Sequence, residues 1–387
     1  MRIGMFCDMY MPHVSGVTNH IALYKRRFEE LGHEVYLFTF GDLDYSETEH
    51  NVVRSPGMPW GDTGWRFALD HSAEVKRLAV RVDVAHVHHP FQSGRIARRI
   101  CGKRGIPVVY TNHTRYDLYS DAYAWYVPKS ARHAYLRAAL KDAYAKAAMI
   151  VAPSAGIVEW LRTFGITDRA TLLPNGIDTR PFAEPASPVS RQELGFAEED
   201  VVFCYVGRLG PEKNTPLLAE SFAQALFAAP NARLLVVGEG PARKEAERVL
   251  ASAGVGDRAR FVGAQPYARV PDYEAAADVF VTASVSEVHP LVVMEGMAAG
   301  LPVVGVHSPG ISDTVTNGED GLLAGAPVPE AIAERIARIA TDDRLRLRLA
   351  EGARVTAQRY DLPHTADKLL EHYEQLLSMD ARRSVRT

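Results

Sequence analysis

Cysteine is scarce in this chain. Cys7, Cys101 and Cys204 are its three, with no Cys-x-x-Cys pair and one left over from any pairing. That excludes a disulfide framework and a cysteine-based zinc site, and suits a reducing cytosol. Long apolar runs are also missing, and none approaches the roughly 18 residues of a membrane span. The opening Arg2–Cys7 is too short for a signal peptide and runs directly into polar residues. There is no internal repeat or low-complexity tract. Basic residues are dispersed and the net charge is -3, which argues against a nucleic-acid partner. A cytoplasmic protein is expected, free or peripheral on the cytoplasmic face of a membrane.

What is present reads as a soluble α/β protein. The 387 residues, 47% hydrophobic and 24% charged, are enough for two domains. Charge is uneven: residues 1–180 carry 23 Lys and Arg against 18 Asp and Glu, and the remainder 21 against 29. A basic half beside an acidic one fits an anionic partner for the first, or two ordinary solvated domains.

Short β-rich runs alternate with helical patterns along the whole chain, the mark of parallel sheets. Strands are predicted at Arg2–Cys7, Glu34–Phe40, Val84–His88, Val108–Thr111 and Met149–Ala152. A second series reads Val201–Val206, Leu234–Val237, Arg260–Val262, Val279–Thr282 and Val303–Val306. Between the series, Pro174-Asn175-Gly176-Ile177-Asp178 leads into Pro181, Pro185 and Pro188, a linker-like run. The spacing predicts two doubly wound, Rossmann-like domains over 1–180 and 181–363, with a C-terminal helix over about 364–387 packing back on the first. Two such domains joined by a hinge make a cleft, and ligands bind beyond the carboxyl ends of the strands.

The densest chemical signal is Ser286-Glu287-Val288-His289-Pro290-Leu291-Val292-Val293-Met294-Glu295. Pro290 suits the first helical position, where a missing N–H costs nothing. Glu287 then lies in the approach loop and Glu295 inside an otherwise apolar helix. Two acids so placed grip different parts of one elongated ligand at a helix N-terminus, where free N–H groups attract anions. On spacing alone, one buried acid and one surface acid fit equally well. Upstream, Gly207-Arg208-Leu209-Gly210-Pro211-Glu212-Lys213 follows a strand. It offers a guanidinium fork and an ammonium to a diphosphate. Gly238-Glu239-Gly240-Pro241 is another tight turn.

Six segments in this order resemble the family-4 retaining glycosyltransferases of the GT-B fold. They are Pro12-His13-Val14-Ser15-Gly16-Val17, Asn112-His113-Thr114, Pro174–Asp178, Gly207-Arg208-Leu209 with Lys213, Val237–Pro241 and the glutamate pair. The resemblance spans nearly the whole chain. It implies transfer of a hexose from a nucleotide-sugar to a hydroxyl with retention of configuration and no metal or other cofactor. It implies that His113, Arg208, Lys213 and Glu287 act at the reacting centre, His113 and Glu287 on the donor sugar and the two cations on the leaving diphosphate. Glu295 would take the ribose, and the Leu291 and Val292 N–H groups the phosphates. Gly238, Gly240 and Val262 would border the base. Gly16 would let the first loop approach donor and acceptor together. The chain departs from the family at Pro290, where glycine is common, and at Val288-His289, where Gly-Phe is common. His289 would then replace a lost backbone donor through its side chain.

The closest look is to the branch that glucosylates diacylglycerol, with UDP-glucose as donor, on Val87–Phe91 and Tyr110–Tyr116. Ser15, Tyr116 and Tyr119 are the acceptor-side candidates. Tyr116, Tyr119, Tyr123, Trp125 and Tyr126 crowd one span, as rings do at membrane interfaces. Lys129, His133, Arg137 and Lys141 form a basic stripe, opposite Leu136, Leu140 and Ala147, which either pack or insert. Residues 116–146 would thus dock on an anionic membrane, or simply cover the sheet. Other readings stay open: a GDP-mannose donor, a soluble sugar acceptor, a nucleotide-sugar 2-epimerase, or a sensor without turnover. Asp42-Leu43-Asp44 mimics a metal-gripping pair but reads as a solvated turn. His86, His88 and His89 offer imidazoles for a metal, yet end a strand before Pro90 with no acid beside them, and the family commonly carries His there.

Overall fold

A computed structural model describes residues 1–41, 47–59, 66–123, 126–166 and 168–384. Asp42–Asp44 and Trp125 lie outside the described residues. The chain divides into two compact units, Met1–Gly176 with the segment from Leu362 onward, and Ile177–Asp361.

In the first unit the strands are β1 (Arg2–Phe6), β2 (Glu34–Gly41), β3 (Val52–Pro56), β4 (Met58–Pro59), β5 (Arg66–Phe67), β6 (Val84–Val87), β7 (Val108–Thr111), β8 (Met149–Ala152) and β9 (Ala170–Leu172). Seven of them form a parallel sheet in the order β3-β2-β1-β6-β7-β8-β9, while β4 and β5 make a small antiparallel ribbon. Every residue of β6, β7 and β8 is buried, as a parallel sheet covered on both faces requires.

One face packs on the helix Gly16–Glu30, through Ile21, Tyr24 and Phe28, and on the C-terminal helix Leu362–Ser384, through Leu362, Ala366, Leu369, Leu370 and Tyr373. The Tyr24 hydroxyl accepts the Gly176 N–H at 3.1 Å. Gly176 admits no side chain, since a Cβ there would lie 2.0 Å from Thr365 Oγ1. The sequence pattern breaks the tail near Pro363; in the structure the helix starts just before it, and Pro363 occupies the first turn, where its missing N–H is harmless.

The second unit holds β10 (Val201–Val206), β11 (Ala232–Val237), β12 (Ala259–Gly263), β13 (Val279–Val281), β14 (Val303–Val306) and β15 (Gly321–Ala324) in the parallel order β12-β11-β10-β13-β14-β15. Both sheets reverse their winding beside a central strand, between β1 and β6 in one and β10 and β13 in the other. The loops leaving those strand pairs are where such sheets bind ligands.

The C-terminal helix is integral to the first core. Leu369→Ala, at a site 2% exposed, is expected to cost that unit about 2–5 kcal/mol. Urea unfolding followed separately for the two units checks this, with the second unit's midpoint unchanged.

Candidate active site

The second unit builds its site by bringing loop backbones into contact beyond the strand ends. Gly207, Gly238 and Gly240 have φ of 146°, 153° and 158°, which favours glycine. A Cβ on Gly238 would lie 1.9 Å from the Gly207 carbonyl oxygen, and one on Gly240 2.5 Å from that of Leu209. The close approach lets the ladder continue past the sheet: Gly207 N–H donates to Val237 O, Leu209 N–H to Glu239 O and Gly238 N–H to Gly263 O, at 2.9–3.0 Å. Val262 sits at the end of edge strand β12, its carbonyl taken by the Gln265 amide at 2.8 Å.

Arg208 and Lys213 project from the loop after β10. Each has a carboxylate at 2.6 Å, Arg208 with Glu212 and Lys213 with Glu287. The second pair joins the loops of β10 and β13, the two strands at the switch point. Ser286 Oγ adds a bond to Glu212 O at 3.1 Å, and Asn214 Nδ2 one to Ala283 O at 3.2 Å. Lys213 is therefore held by one of the acids that sequence reasoning paired with it only through a ligand.

The helix after Glu287 runs Leu291–Ala298, and Pro290 is its N-cap, φ -77° and ψ 112°, rather than its first residue. Its carbonyl accepts from Val293 and Met294 N–H. Leu291 and Val292 hold the first two N–H groups, which a helix cannot satisfy internally. His289 is 5% exposed, with its ring edge-on to Tyr360 at 5.0 Å. Burial lowers it to about 3, so it is a neutral, packed imidazole.

Glu295 is 1% exposed and accepts a 2.7 Å hydrogen bond from the Tyr267 hydroxyl. Burial raises its pKa to about 7, against the lowering effect of that bond. Glu274 is fully buried near it, and burial holds its carboxyl well above the ordinary range, with Glu295 adding to the shift. Nothing local marks Tyr267 or Glu274 in advance, because neither lies in a motif and both reach Glu295 only through folding.

In the first unit, His113 follows β7 and His88 follows β6. His88 Nδ1 and His113 Nε2 are 3.0 Å apart, and His20 of the first helix meets His113 edge-on at 4.7 Å. His86 is engaged with Thr111 Oγ1 and the Tyr373 hydroxyl. His89 Nδ1 accepts the Asp8 N–H at 3.1 Å. His86 and His88 stack at 4.4 Å, but the nitrogens of His86, His88 and His89 do not converge on one point.

Other acceptor-side candidates are placed unevenly. Ser15 caps the first helix reciprocally with Thr18, so its hydroxyl serves the backbone. Beside it, a Cβ on Gly16 would meet nothing within 4 Å. Tyr116 is 8% exposed with its ring edge-on to Phe91 at 5.0 Å, whereas Tyr119 reaches solvent. The Tyr116 ring is thus packed, and Tyr119 is the more exposed of the two. Leu136, Leu140 and Ala147 pack rather than insert, all buried. On the basic stripe, Lys129 and His133 join Arg132 on Asp121 at 2.6–3.1 Å, and this company, Arg132 first, holds Asp121 down at about 2. Arg137 donates to Thr163 O. Tyr126 and Tyr135 stay well exposed.

Two parallel-sheet units, with cation-bearing loops at the second unit's switch point, are the architecture expected of the GT-B fold. The profile described as "Glycosyltransferase Family 4" matches residues 14–180, and "Glycosyl transferases group 1" matches residues 187–356. An α-monoglucosyldiacylglycerol synthase of Acholeplasma laidlawii is 28% identical over 93% of each chain. A D-inositol 3-phosphate glycosyltransferase of Acidothermus cellulolyticus is 30% identical over 94% of this chain and 86% of its own. In fold, the chain matches Anabaena HepE, solved with UDP and glucose, at TM-score 0.79 and 21% identity over 97% of this chain and all of that one. The protein belongs to glycosyltransferase family 4.

Two outcomes test this geometry. Gly238→Ala is expected to lower the melting temperature sharply, since backbone rather than a flexible side chain meets the new methyl. Glu295 binds its proton more tightly folded than unfolded, so its contribution to stability falls as pH rises from about 4.5 to about 7. The loss is on the order of 3 kcal/mol and persists above that range. Glu295→Gln removes that term, so its melting temperature should fall less than the wild type's between pH 5 and pH 8.

Proposed function

We propose that the protein is a retaining hexosyltransferase that moves glucose from UDP-glucose to a lipid hydroxyl, with diacylglycerol as acceptor and no metal in the reaction. The carrying observation is the Lys213–Glu287 pair, which joins the two loops of the switch point, directly before the N-terminus of the helix that bears Glu295. Anionic phosphates suit that end of a helix. Arg208 and Lys213 counter the charge that grows on the leaving diphosphate. On phosphate binding Lys213 turns part of its charge from Glu287 to the ligand, which leaves that carboxylate able to accept from a sugar hydroxyl. Glu295, held by Tyr267, accepts from the ribose, and His113 acts on the donor sugar.

Retention by double displacement needs a carboxylate nucleophile at the anomeric carbon. Glu287 is committed to Lys213 and the sugar hydroxyls, and Glu295 to the ribose. The acceptor therefore attacks on the face the diphosphate leaves, and the departing phosphate oxygen takes the acceptor's proton. The C1–O bond to phosphate breaks as the C1–O bond to the acceptor forms.

The lipid acceptor draws support from the Acholeplasma synthase, similar to this chain over nearly its whole length, and from the outward Tyr126 and from Tyr135, which shares a helix with Lys129 and Lys141. The likeness to an inositol-phosphate glycosyltransferase favours a soluble acceptor as the second reading.

UDP release from UDP-glucose should rise with diacylglycerol vesicles and give an α-linked product, and Lys213→Ala should lower kcat about 10²–10³-fold. Release with inositol phosphate but not with diacylglycerol selects the second reading. Release with GDP-mannose alone contradicts the donor, and a glycosyl adduct trapped on any Asp or Glu contradicts the same-face step.

A further inference from the structure

His20, His88 and His113 come from three separate places in the first unit: the second turn of the first helix and the carboxyl ends of β6 and β7. One ring nitrogen from each lies within 4.8 Å of the others. His20 and His88 are 4% and 1% exposed, while His113 is partly open and gives an ion a way in. The His88 Nε2 is buried with no hydrogen-bond partner among the described residues.

We propose that these three histidines form a site for a divalent transition cation of the zinc class, and that filling it arrests sugar transfer by taking His113. Zinc–nitrogen bonds of about 2.0–2.1 Å set tetrahedral nitrogens roughly 3.4 Å apart. The 3.0 Å His88–His113 separation and the 4.8 Å outer limit bracket that spacing, so ring shifts of about 1 Å close the site. Imidazole is a ligand for zinc, copper and nickel rather than magnesium. The ion replaces the hydrogen bond between them, and its fourth position is open to water. The site serves as an inhibitory switch rather than as part of the reaction.

The arrest rests on the role given to His113 in the proposed reaction; the ion site does not. Metal-stripped full-length protein titrated with Co2+ should therefore bind one equivalent, read by its visible absorption. His20→Gln and His88→Gln should each weaken binding tenfold or more, with their folding checked by melting temperature. His50→Ala, at an exposed histidine, should keep it. No one-equivalent absorption with the wild type overturns the site, as does binding that survives both variants. Zn2+ should inhibit transfer over the range in which it binds. Binding with undiminished transfer overturns the arrest alone. Absence of transfer in metal-free protein overturns the functional reading and leaves the cobalt result standing.

Discussion

The second unit's site depends on the close passage of two backbone segments. With Gly238 pressed on the Gly207 carbonyl and Gly240 on that of Leu209, the loops after β10 and β11 extend the sheet's hydrogen bonding beyond its strands. That extension fixes where Arg208 leaves the chain and where the short turn to Lys213 begins. A methyl group at either glycine would force the loops apart. The charged side chains are thus positioned by residues that have none.

From that frame the electrostatics follow. Lys213 and Glu287 sit on loops from neighbouring strands across the point where winding reverses, so their attraction also ties the loops together. Glu295 is the opposite case, an acid kept in the core and hydrogen-bonded by a tyrosine hydroxyl, its carboxylate disfavoured by burial. Such an acid costs stability at neutral pH. A core that retains it favours a ligand hydroxyl or a proton at that position. Perturbed groups cluster at functional sites for this reason.

Much of the fold was legible because buried parallel strands are written as apolar runs. Val201–Val206, Val303–Val306 and Met149–Ala152 stand as read. Strand β3 escaped because Arg54 and Pro56 break its apolar pattern at the sheet edge, and β9 and β15 because three or four residues carry no period. At the site, glycines and charged residues in motif order were visible. Orientation was not: whether His289 or Tyr116 faces solvent is decided by Tyr360 and Phe91, which no local pattern links to them. His20 was invisible for the same reason, since it meets His88 and His113 only when a helix folds over two strand ends.

Hydrogen exchange of the full chain with and without UDP tests the central claim most directly. The account predicts slowed exchange confined to the second unit's loops at 207–214, 238–241 and 262–265 and to the helix start at 287–295. Slowing elsewhere with these segments unchanged, or no slowing at saturating UDP, would contradict it.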